Sequence, residues 1–582
     1  MRYLRMLTNA IAGGVIAATY LVVLVLQLNP HVPVVSMTAL RWFVALLAFY
    51  GPYLSVALFL LLLVREAIAT RPLSPAWFSV RLIAWLAAVG GGAAAIVTWQ
   101  NLREFRAVLT TAAAERMEQG ATATTIFAIV LMAIALLRYS FGRRGSRMTA
   151  GLLIAATVGS IAVPLWLRGP VELPVPAARR IPRTRDVTSM TIPRVRVIEL
   201  DGASLGFIRQ RVAAGQLPNF GHVLDRGAAI ELETLRPTQA APVLAALSTG
   251  KYPPKTSVRS NAFYRVSPDD PVAVDLLPDY CFAYALVYQG FIAEERRTSE
   301  SLDARPIWDV LADYDLVAGV VGWPLTDPAR AERGYIVSDR FHESVSSPLR
   351  FASVQAGYPT TAVDLAREAF DGWQARSWHD VLPAAAGPAE PTGATSARWD
   401  RAYAEAAWYL EQQFAPHLTA VRFSGLDHFG HLYLRDAQPE LFGEFRRDGV
   451  SERSILDQHY AYIDGEVGRA IRRLAPGDLL LIVAGFGLEP TTLSKRLLAR
   501  ALGWPEETGT HERAPRGFVL AFGTNVAPGR HRPSSIVDVA PTVLYYMGLD
   551  VGRDMDGVAR TDWFLSTFTR EHPVTYIPTH EK

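Results

Sequence analysis

The stretch VRVIELDG, residues 195–202, decides how the larger part of this chain folds. Its first six residues, mainly apolar with several β-branched side chains, are typical of a buried strand, and the Asp-Gly pair after them is typical of a turn. A helical pattern, SLGFIRQRVAAG at 204–215, follows at once. Similar runs recur between helical stretches, at LTAVRFS 418–424, DLLLIVA 478–484 and GFVLAF 517–522. Strands that alternate with helices predict an α/β domain with a mostly parallel central sheet flanked by helices.

Acidic and imidazole side chains stand at the ends of these runs, where parallel sheets bind ligands. They are Asp201 after the first run, Asp427 and His431 after the second in the string GLDHFGH, and His511 just before the last in GTHERAP. Asp427 and His431 are four residues apart and can converge on one ion if the segment is helical. With His511 they make one carboxylate and two imidazoles, the composition of a catalytic zinc site with an open fourth position.

The first 170 residues have a different pattern. Uncharged or nearly uncharged apolar runs occur at 7–27, 42–64, 82–99, 120–137 and 149–167. The second run has 23 residues, and a helix of that length measures about 34 Å, enough for the ~30 Å hydrocarbon layer of a bilayer. The first run is too long to be only a cleavable signal, and four similar runs follow it. We therefore expect five transmembrane helices.

Arginines are unevenly divided between the two sides of these spans. One side carries Arg2, Arg5, Arg65, Arg71, Arg81, Arg138, Arg143, Arg144 and Arg147, and the other carries Arg41, Arg103, Arg106 and Arg116. The positive-inside rule then places the N-terminus in the cytoplasm. Because five crossings reverse the side, we expect a multi-pass protein of the cell membrane whose large C-terminal domain is extracytoplasmic, with the lipid bilayer as a partner.

A stretch rich in proline and arginine, residues 169–193, separates the two parts and is expected to be an extended linker. The expected divisions are a transmembrane domain at 1–168, this linker, an α/β domain at 194–565 and a C-terminal tail at 566–582. The 582 residues carry a formal net charge of only +3, which argues against a nucleic-acid partner. Cys281 is the only cysteine, so an intrachain disulfide and a cysteine-built zinc cluster are excluded.

Five segments occur in the order expected of the alkaline phosphatase superfamily. They are LDGASLGFIRQRVAAGQLPNFGHVLDRGA (200–228), RPTQAAPVLAALSTGKYPP (236–254), GLDHFGH (425–431), GTHERAPRGFVLAFG (509–523) and SSIVDVAPTVLYYMGL (534–549). The chain most resembles the type I phosphodiesterase/nucleotide pyrophosphatase branch of that superfamily, over roughly residues 193–560. The ordered motifs are specific for the fold and do not identify a substrate.

The resemblance implies a site with two metal ions, usually zinc. One ion polarises the phosphoryl oxygen, and the other activates a Thr or Ser nucleophile that is phosphorylated and then hydrolysed. Carried over residue by residue, the resemblance makes Asp427, His431 and His511 the ligands of the first ion. It makes Asp201 one ligand of the second ion.

The second half of this site departs from the family's pattern. Ala240, in PTQAAP, stands where the family has its nucleophile, and Gly485 and Phe486, in AGFGLEP, stand where it has an Asp and a His. The family's His-Gly after the TGKYPP segment is replaced by Thr256 and Ser257. A lone Asp201 carboxylate cannot hold a dication against water. We therefore expect one ion, zinc or another divalent metal, and a degenerate second half-site.

These departures leave the catalytic residue unknown and allow three interpretations. The first is a pseudoenzyme that binds a phosphorylated or sulfated ligand or a partner protein. The second is a weak hydrolase with a single zinc, whose bound water attacks the ester. The third uses Thr238 as the nucleophile and is the least favoured, because a two-residue shift moves the hydroxyl by several Å and an error of ~1 Å can cost ~100-fold in rate.

The domain arrangement adds one further alternative by analogy. Five membrane helices before a domain of this superfamily are also the layout of the phosphoethanolamine and phosphoglycerol transferases of bacterial envelopes, which act on lipid headgroups. A transferase needs the covalent nucleophile that Ala240 removes. From the resemblance and the membrane helices, the expected ligand is a phosphorylated small molecule or a lipid headgroup.

Overall fold

A computed structural model describes residues 1–69, 73, 75–140, 147–169, 192–278, 283–346, 355–383, 390–443, 454–502 and 506–582. Most of the expected linker at 169–193 lies outside these residues. The chain divides into two compact units. The helical unit comprises Met1–Pro176 and Ala262–Arg296, and the α/β unit comprises Ala177–Asn261 and Arg297–Lys582.

Five long apolar helices make up most of the helical unit, and each contains one of the five runs seen in the sequence. They are α1 (Arg2–Leu28), α2 (Met37–Ile68), α3 (Val80–Phe105), α4 (Thr111–Ser140) and α5 (Arg147–Leu167). Within the described part of the chain, five helices are long and apolar enough to cross a membrane. The prediction of five such helices is confirmed.

Polar contacts mark the two ends of this bundle. At the end where the chain begins, Arg2 Nη1 lies 3.2 Å from Glu66 Oε1, near the end of α2. At the other end, the guanidinium of Arg168, just after α5, donates to the carbonyl oxygens of Leu26 at 2.6 Å and Asn29 at 3.3 Å. A cation stabilises the free carbonyl groups at a helix C-terminus. Because Arg168 follows α5 and contacts the end of α1, the chain leaves α5 at the end of the bundle opposite Arg2.

The other strands and α-helices of the described residues have 21 residues or fewer. The strands are β1 (Val195–Leu200), β2 (Ala228–Glu233), β3 (Ala262–Arg265), β4 (Ala293–Arg296), β5 (Ala318–Val321), β6 (Gly334–Val337), β7 (Gly357–Tyr358), β8 (Leu418–Phe423), β9 (Leu479–Phe486), β10 (Glu489–Pro490), β11 (Gly509–Thr510), β12 (Arg516–Phe522), β13 (Gly529–Arg530), β14 (Ser534–Ser535), β15 (Val551–Gly552) and β16 (Tyr576–Ile577). The helices are α6 (Leu205–Ala213), α7 (Pro218–Arg226), α8 (Ala240–Thr249), α9 (Pro253–Thr256), α10 (Ala283–Tyr288), α11 (Ile307–Ala312), α12 (Phe341–Ser346), α13 (Thr360–Gln374), α14 (Trp378–Val381), α15 (Ala394–Phe414), α16 (Gly425–Ala437), α17 (Ile455–Ile471), α18 (Leu493–Leu502), α19 (Val539–Tyr546) and α20 (Ser566–Glu571).

A mostly parallel sheet forms the centre of the α/β unit, as the alternation of strands and helices predicts. Its strand order is β13-β2-β12-β9-β1-β8-β5-β6-β7, with β14 beside β2. Strand β1 is parallel to both β8 and β9, and β5 extends this parallel part beside β8. All six residues of β1 are buried, as expected for a central strand covered on both faces.

Helices cover both faces of this sheet. Apolar residues of α6, α7, α13, α15 and α17 form the core on one face, and those of α8, α11 and α19 form the core on the other. Strand β12 is antiparallel to its neighbours β9 and β2. The start of β12 therefore lies at the same edge of the sheet as the carboxyl ends of the parallel strands.

Residues 262–296, which we call the insert, pack with the helical unit although they lie within the sequence of the α/β domain. Strands β3 and β4 of the insert pair antiparallel, from Ala262 opposite Arg296 to Arg265 opposite Ala293. The short helix α10 lies between them. The α/β unit thus consists of two pieces of chain on either side of the insert.

Candidate metal centre

Helix α16 carries two of the expected ligands one turn apart. The helix begins at Gly425, directly after β8, so its first turn lies at the carboxyl edge of the sheet. His431 Nε2 lies 3.6 Å from Asp427 Oδ1. The Asp427 side chain is 24% exposed and the His431 side chain 22% exposed, so both remain accessible to a ligand.

His511 joins these two side chains from a distant part of the chain. It follows β11, whose Gly509 lies so close to α16 that an added Cβ would come within 2.4 Å of the Gly430 carbonyl oxygen. The ring centroids of His431 and His511 are 5.2 Å apart. Asp427 follows a parallel strand, whereas His511 precedes β12, which is antiparallel to its neighbour β9. Both residues therefore lie at the same edge of the sheet.

Backbone carbonyl groups orient both imidazoles. His431 Nδ1 lies 2.8 Å from the carbonyl oxygen of Gly509, and His511 Nδ1 lies 2.9 Å from that of Thr238. A carbonyl oxygen can only accept, so each Nδ1 carries the proton and each Nε2 presents a lone pair. This arrangement is the one found around histidines that bind metals.

The three side chains fit a single divalent cation. One ligand atom from each of Asp427, His431 and His511 lies within 4.8 Å of the other two. Asp427 Oδ1 is buried and has no hydrogen-bond partner among the described residues. Burial and the neighbouring Asp201 carboxylate raise the pKa of Asp427, against the opposing effect of the two imidazoles. A bound cation would satisfy this oxygen and offset the unfavourable charge.

Asp201 lies beside this group but has another partner. It follows β1, and the next residue, Gly202, has a φ of +71° and would place an added Cβ 2.8 Å from the Asp427 Cα. The guanidinium of Arg422, on β8, donates to Asp201 Oδ2. The other carboxylate oxygen of Asp201 is buried without a hydrogen-bond partner in the described structure.

Arg422 also faces a second carboxylate. Residue Glu199 of β1 is directly opposite Arg422 in the register of the two strands, and its Oε2 lies 3.4 Å from Arg422 Nε. The Glu199 side chain is fully buried. Burial and the Asp201 charge raise its pKa well above the ordinary value, although Arg422 opposes this. The Arg422 guanidinium is therefore the cationic partner of two carboxyl groups, those of Glu199 and Asp201.

The position of the expected nucleophile is the first turn of α8. Ala240 begins this helix. The hydroxyl of Thr238 is buried and donates to the carbonyl oxygen of Leu235 at 2.9 Å. Thr238 contacts the site through its own carbonyl group, which holds His511.

Apolar groups surround the end of β9. The ring of Phe486 is buried, and its centroid is 5.1 Å from that of His511. An added Cβ at Gly485 would come within 2.3 Å of Val243 Cγ1, on α8. A side chain at position 485 would therefore require the Val243 side chain or helix α8 to move.

Some contributors to this site were not identified from the sequence. Arg422 was one, although a charge in the apolar run LTAVRFS was a signal for it. Asp400 of α15 and His459 of α17 are two more, and their buried side chains contact each other beside the start of α16. No local pattern in the sequence indicates that pair.

The part of the chain that carries the metal centre is similar to known proteins. The family model described as type I phosphodiesterase/nucleotide pyrophosphatase matches residues 195–511, from the start of β1 to His511. Two similar solved structures are murine ectonucleotide pyrophosphatase/phosphodiesterase 5, at 12% identity and a TM-score of 0.37, and the human protein of that name, at 13% and 0.37. In both cases the similarity covers 64% of this chain and 100% of the other. No curated protein matches the chain.

Proposed function

Because this chain belongs to the type I phosphodiesterase/nucleotide pyrophosphatase family, within the alkaline phosphatase superfamily, we propose that its α/β unit binds phosphoric esters at a site for one divalent cation and hydrolyses them weakly. Asp427, His431 and His511 would hold that cation. Zinc is the proposed ion, because one carboxylate and two imidazoles with an open position suit catalytic zinc. Other divalent metals that accept nitrogen and oxygen ligands would compete for the same residues.

The pairing of Asp201 with Arg422 is the observation that carries the proposal of a single cation. A second metal ion would need the Asp201 carboxylate, and the guanidinium already provides a positive charge there. Burial lowers the pKa of Arg422, but the Asp201 and Glu199 carboxylates outweigh this and raise it. The charge of Arg422 is therefore permanent. A dication at the same place would be repelled by it.

The residues of this chain have separate roles in the proposed reaction. When bound, the cation supplies Lewis acidity toward a phosphoryl oxygen and lowers the pKa of water. The carbonyl groups of Gly509 and Thr238 hold the two imidazoles with Nε2 directed away from them. The ring of Phe486 packs against one side of His511.

The first turn of α8 supports a reaction without a covalent intermediate. The methyl group of Ala240 has no nucleophilic atom, and the Thr238 hydroxyl is directed to the Leu235 carbonyl. Without the covalent route, one activated water must displace the leaving group directly. We therefore expect slow turnover, lost when the cation is removed.

A pseudoenzyme that binds a phosphorylated ligand is the second candidate. It is favoured by the apolar packing of Phe486 and Val243 where the family's pattern has polar ligands. Such packing stabilises the fold without contributing to chemistry. In this case the cation would serve to bind the phosphoryl group of the ligand.

Membrane attachment suggests which esters reach the site. We propose that the N-terminus is cytoplasmic and the α/β unit extracytoplasmic. The excess of arginines at the Arg2 end of the bundle and the exit of the chain at the opposite end, where Arg168 lies, both support this orientation. Phosphorylated lipid headgroups or small molecules outside the membrane are then the proposed ligands.

The proposal is tested with the full chain in detergent micelles, supplied with zinc. Hydrolysis of nitrophenyl phosphate, its diester and its sulfate is compared between wild type, His431→Ala and His428→Ala. His428 is an exposed residue of the same helix and serves as the matched control. Zinc-dependent turnover that is lost only in His431→Ala supports the weak hydrolase. Equal and negligible rates in all three proteins support the pseudoenzyme.

A further inference from the structure

The insert is held against the helical unit by a polar clamp at one end of the bundle. Asn29, just after α1, donates from its amide to the Leu276 carbonyl oxygen at 2.8 Å and accepts from the backbone N–H groups of Asp275 and Leu276 at 2.9 Å. Arg41, in the first turns of α2, donates to Asp270 at 2.5 Å. The buried amide of Asn29 thus makes three hydrogen bonds to the insert, which fix the position of the insert on these helices.

Beyond the clamp, the contacts between the insert and α2 are apolar. The rings of Phe291 and Phe49 meet edge to face, with centroids 5.4 Å apart. The buried core shared with α1 and α2 includes four residues of the insert: Val274, Leu277, Leu286 and Ile292. The part of the insert after the clamp therefore packs along the side of α2.

The length of α2 gives the depth of these contacts. Arg65 is the first charged residue at the far end of this helix. Counting back about 20 residues from Val64, the number that spans ~30 Å of hydrocarbon, ends near Ala45. Phe49 is four residues further in, about 6 Å inside the apolar layer. Phe291, which packs on Phe49, is therefore at the boundary between headgroups and acyl chains.

Two exposed tyrosines lie on the insert and on the helix that it packs against. Tyr288, at the end of α10, is 77% exposed, and Tyr53 on α2 is 60% exposed. Tyrosines, which have an apolar ring and a polar tip, are concentrated at membrane interfaces. We propose that residues 283–292 lie in the headgroup–acyl boundary of the bilayer and contact lipid there. Interfacial elements of this kind sit ~5–10 Å deep and need not span the membrane.

Chain continuity links this boundary element to the α/β unit. Asn261 immediately precedes the insert. Its side chain accepts from the Ala241 N–H at 2.9 Å, and its own N–H donates to the Gln239 side chain at 2.7 Å. The chain thus passes from the residue that fixes the first turn of α8 directly into the insert, which carries the proposed lipid-contacting segment further along.

The test uses the full chain in liposomes with a fluorescent label at one site. Tyr288→Cys is made in a Cys281→Ser background and labelled with an environment-sensitive dye. Liposomes with bromine on the acyl chains quench dyes that contact lipid. The expected result is that the dye at position 288 loses most of its fluorescence in brominated liposomes. Arg330→Cys, an exposed position of the α/β unit, is the matched control and is expected to stay bright.

A second variant protects the test against a folding failure. Gln289→Cys labels the neighbouring exposed position and is expected to give the same quenching. Fluorescence at 288 and 289 that is as bright as at 330 would overturn the proposal, whether water, a partner protein or a second copy of the chain covers the segment. Ester hydrolysis is not part of this readout, so its outcome is independent of the proposed function.

Discussion

His459 Nε2 lies 2.8 Å from Asp400 Oδ2, and neither side chain is exposed to solvent. The same carboxylate accepts from the backbone N–H groups of Ser424 at 3.1 Å and Gly425 at 3.0 Å, where β8 becomes α16. A negative charge at a helix N-terminus stabilises the free N–H groups there. The buried pair therefore positions the first turn of α16, and with it Asp427.

Replacement of Asp400 with Ala is expected to lower both stability and metal affinity. It leaves two backbone N–H groups and His459 without their buried acceptor, a loss of about 3–5 kcal/mol for a buried charged partner. The free energy of unfolding and zinc affinity are measured on the full chain in detergent. Asp371→Ala, on the exposed face of α13, is the control and should change stability by no more than about 0.5 kcal/mol. Unchanged zinc affinity in Asp400→Ala would show that the pair does not position Asp427.

Replacement of Arg422 with Met is expected to destabilise the α/β unit strongly. Two carboxyl groups, Glu199 and Asp201, would lose their only cationic partner in the described structure, at a cost of about 3–5 kcal/mol. Adding Glu199→Gln removes one of the two carboxyl groups and should restore part of this loss. Arg330→Met breaks an ion pair that is exposed on both sides and should cost ~0–1 kcal/mol. If thermal unfolding gave Arg422→Met and wild type the same stability, the role of Arg422 as internal cation would be wrong.

Thr238→Ala is expected to retain most of any hydrolytic activity. The lost hydroxyl contacts the Leu235 carbonyl oxygen, so the substitution should cost about 1 kcal/mol of stability and little turnover. The backbone carbonyl that holds His511 remains. Thr249→Ala is the control: it removes a buried hydroxyl of α8 that donates to the Ala245 carbonyl oxygen and accepts from the Lys251 N–H. A ~100-fold loss of turnover in Thr238→Ala alone would identify Thr238 as a nucleophile.

Asp309, which is not part of the metal centre, makes the free energy of unfolding depend on pH. Burial raises its pKa from 3.8 to about 7, with Glu332 and Asp313 adding to the effect and Arg305 and Lys582 opposing it. The folded protein then holds this proton more tightly than the unfolded chain, so stability falls as pH rises from about 4 to 7 and is level above that range. The slope is at most about 1.4 kcal/mol per pH unit, and partial exposure reduces it.

Asp309→Asn is therefore expected to unfold at a higher temperature than wild type at pH 8 and at a similar temperature near pH 4. Thermal unfolding at a series of pH values measures the difference. Parallel profiles for the two proteins between pH 4 and 7 would mean that Asp309 keeps an ordinary pKa.

The sequence predicts those features that depend on local pattern. The five apolar helices follow from run length, because a bilayer sets a minimum span. The central strands follow from short apolar runs, and observed β1 and β8 coincide closely with VRVIEL and LTAVRFS. Asp427, His431 and His511 stand at the ends of such runs, where the fold brings residues from distant parts of the chain together.

Other features depend on register and packing and are not visible in a local pattern. Arg422 and Glu199 interact because β1 and β8 are adjacent and in register, which neither sequence shows by itself. Asp400 and His459 lie on separate helices, 59 residues apart. The insert has apolar residues but no run long enough to span a bilayer, so its packing with the helical unit could not be predicted.

Metal content of the full chain is the most direct test of the central claim that one cation is held by Asp427, His431 and His511 while Arg422 occupies the neighbouring charge site. The protein is purified in detergent, exposed to zinc, freed of loosely bound ions and analysed by elemental mass spectrometry. The account predicts one zinc per chain in wild type and none in Asp427→Ala. Two tightly bound ions per chain, or one that persists in Asp427→Ala, would contradict it.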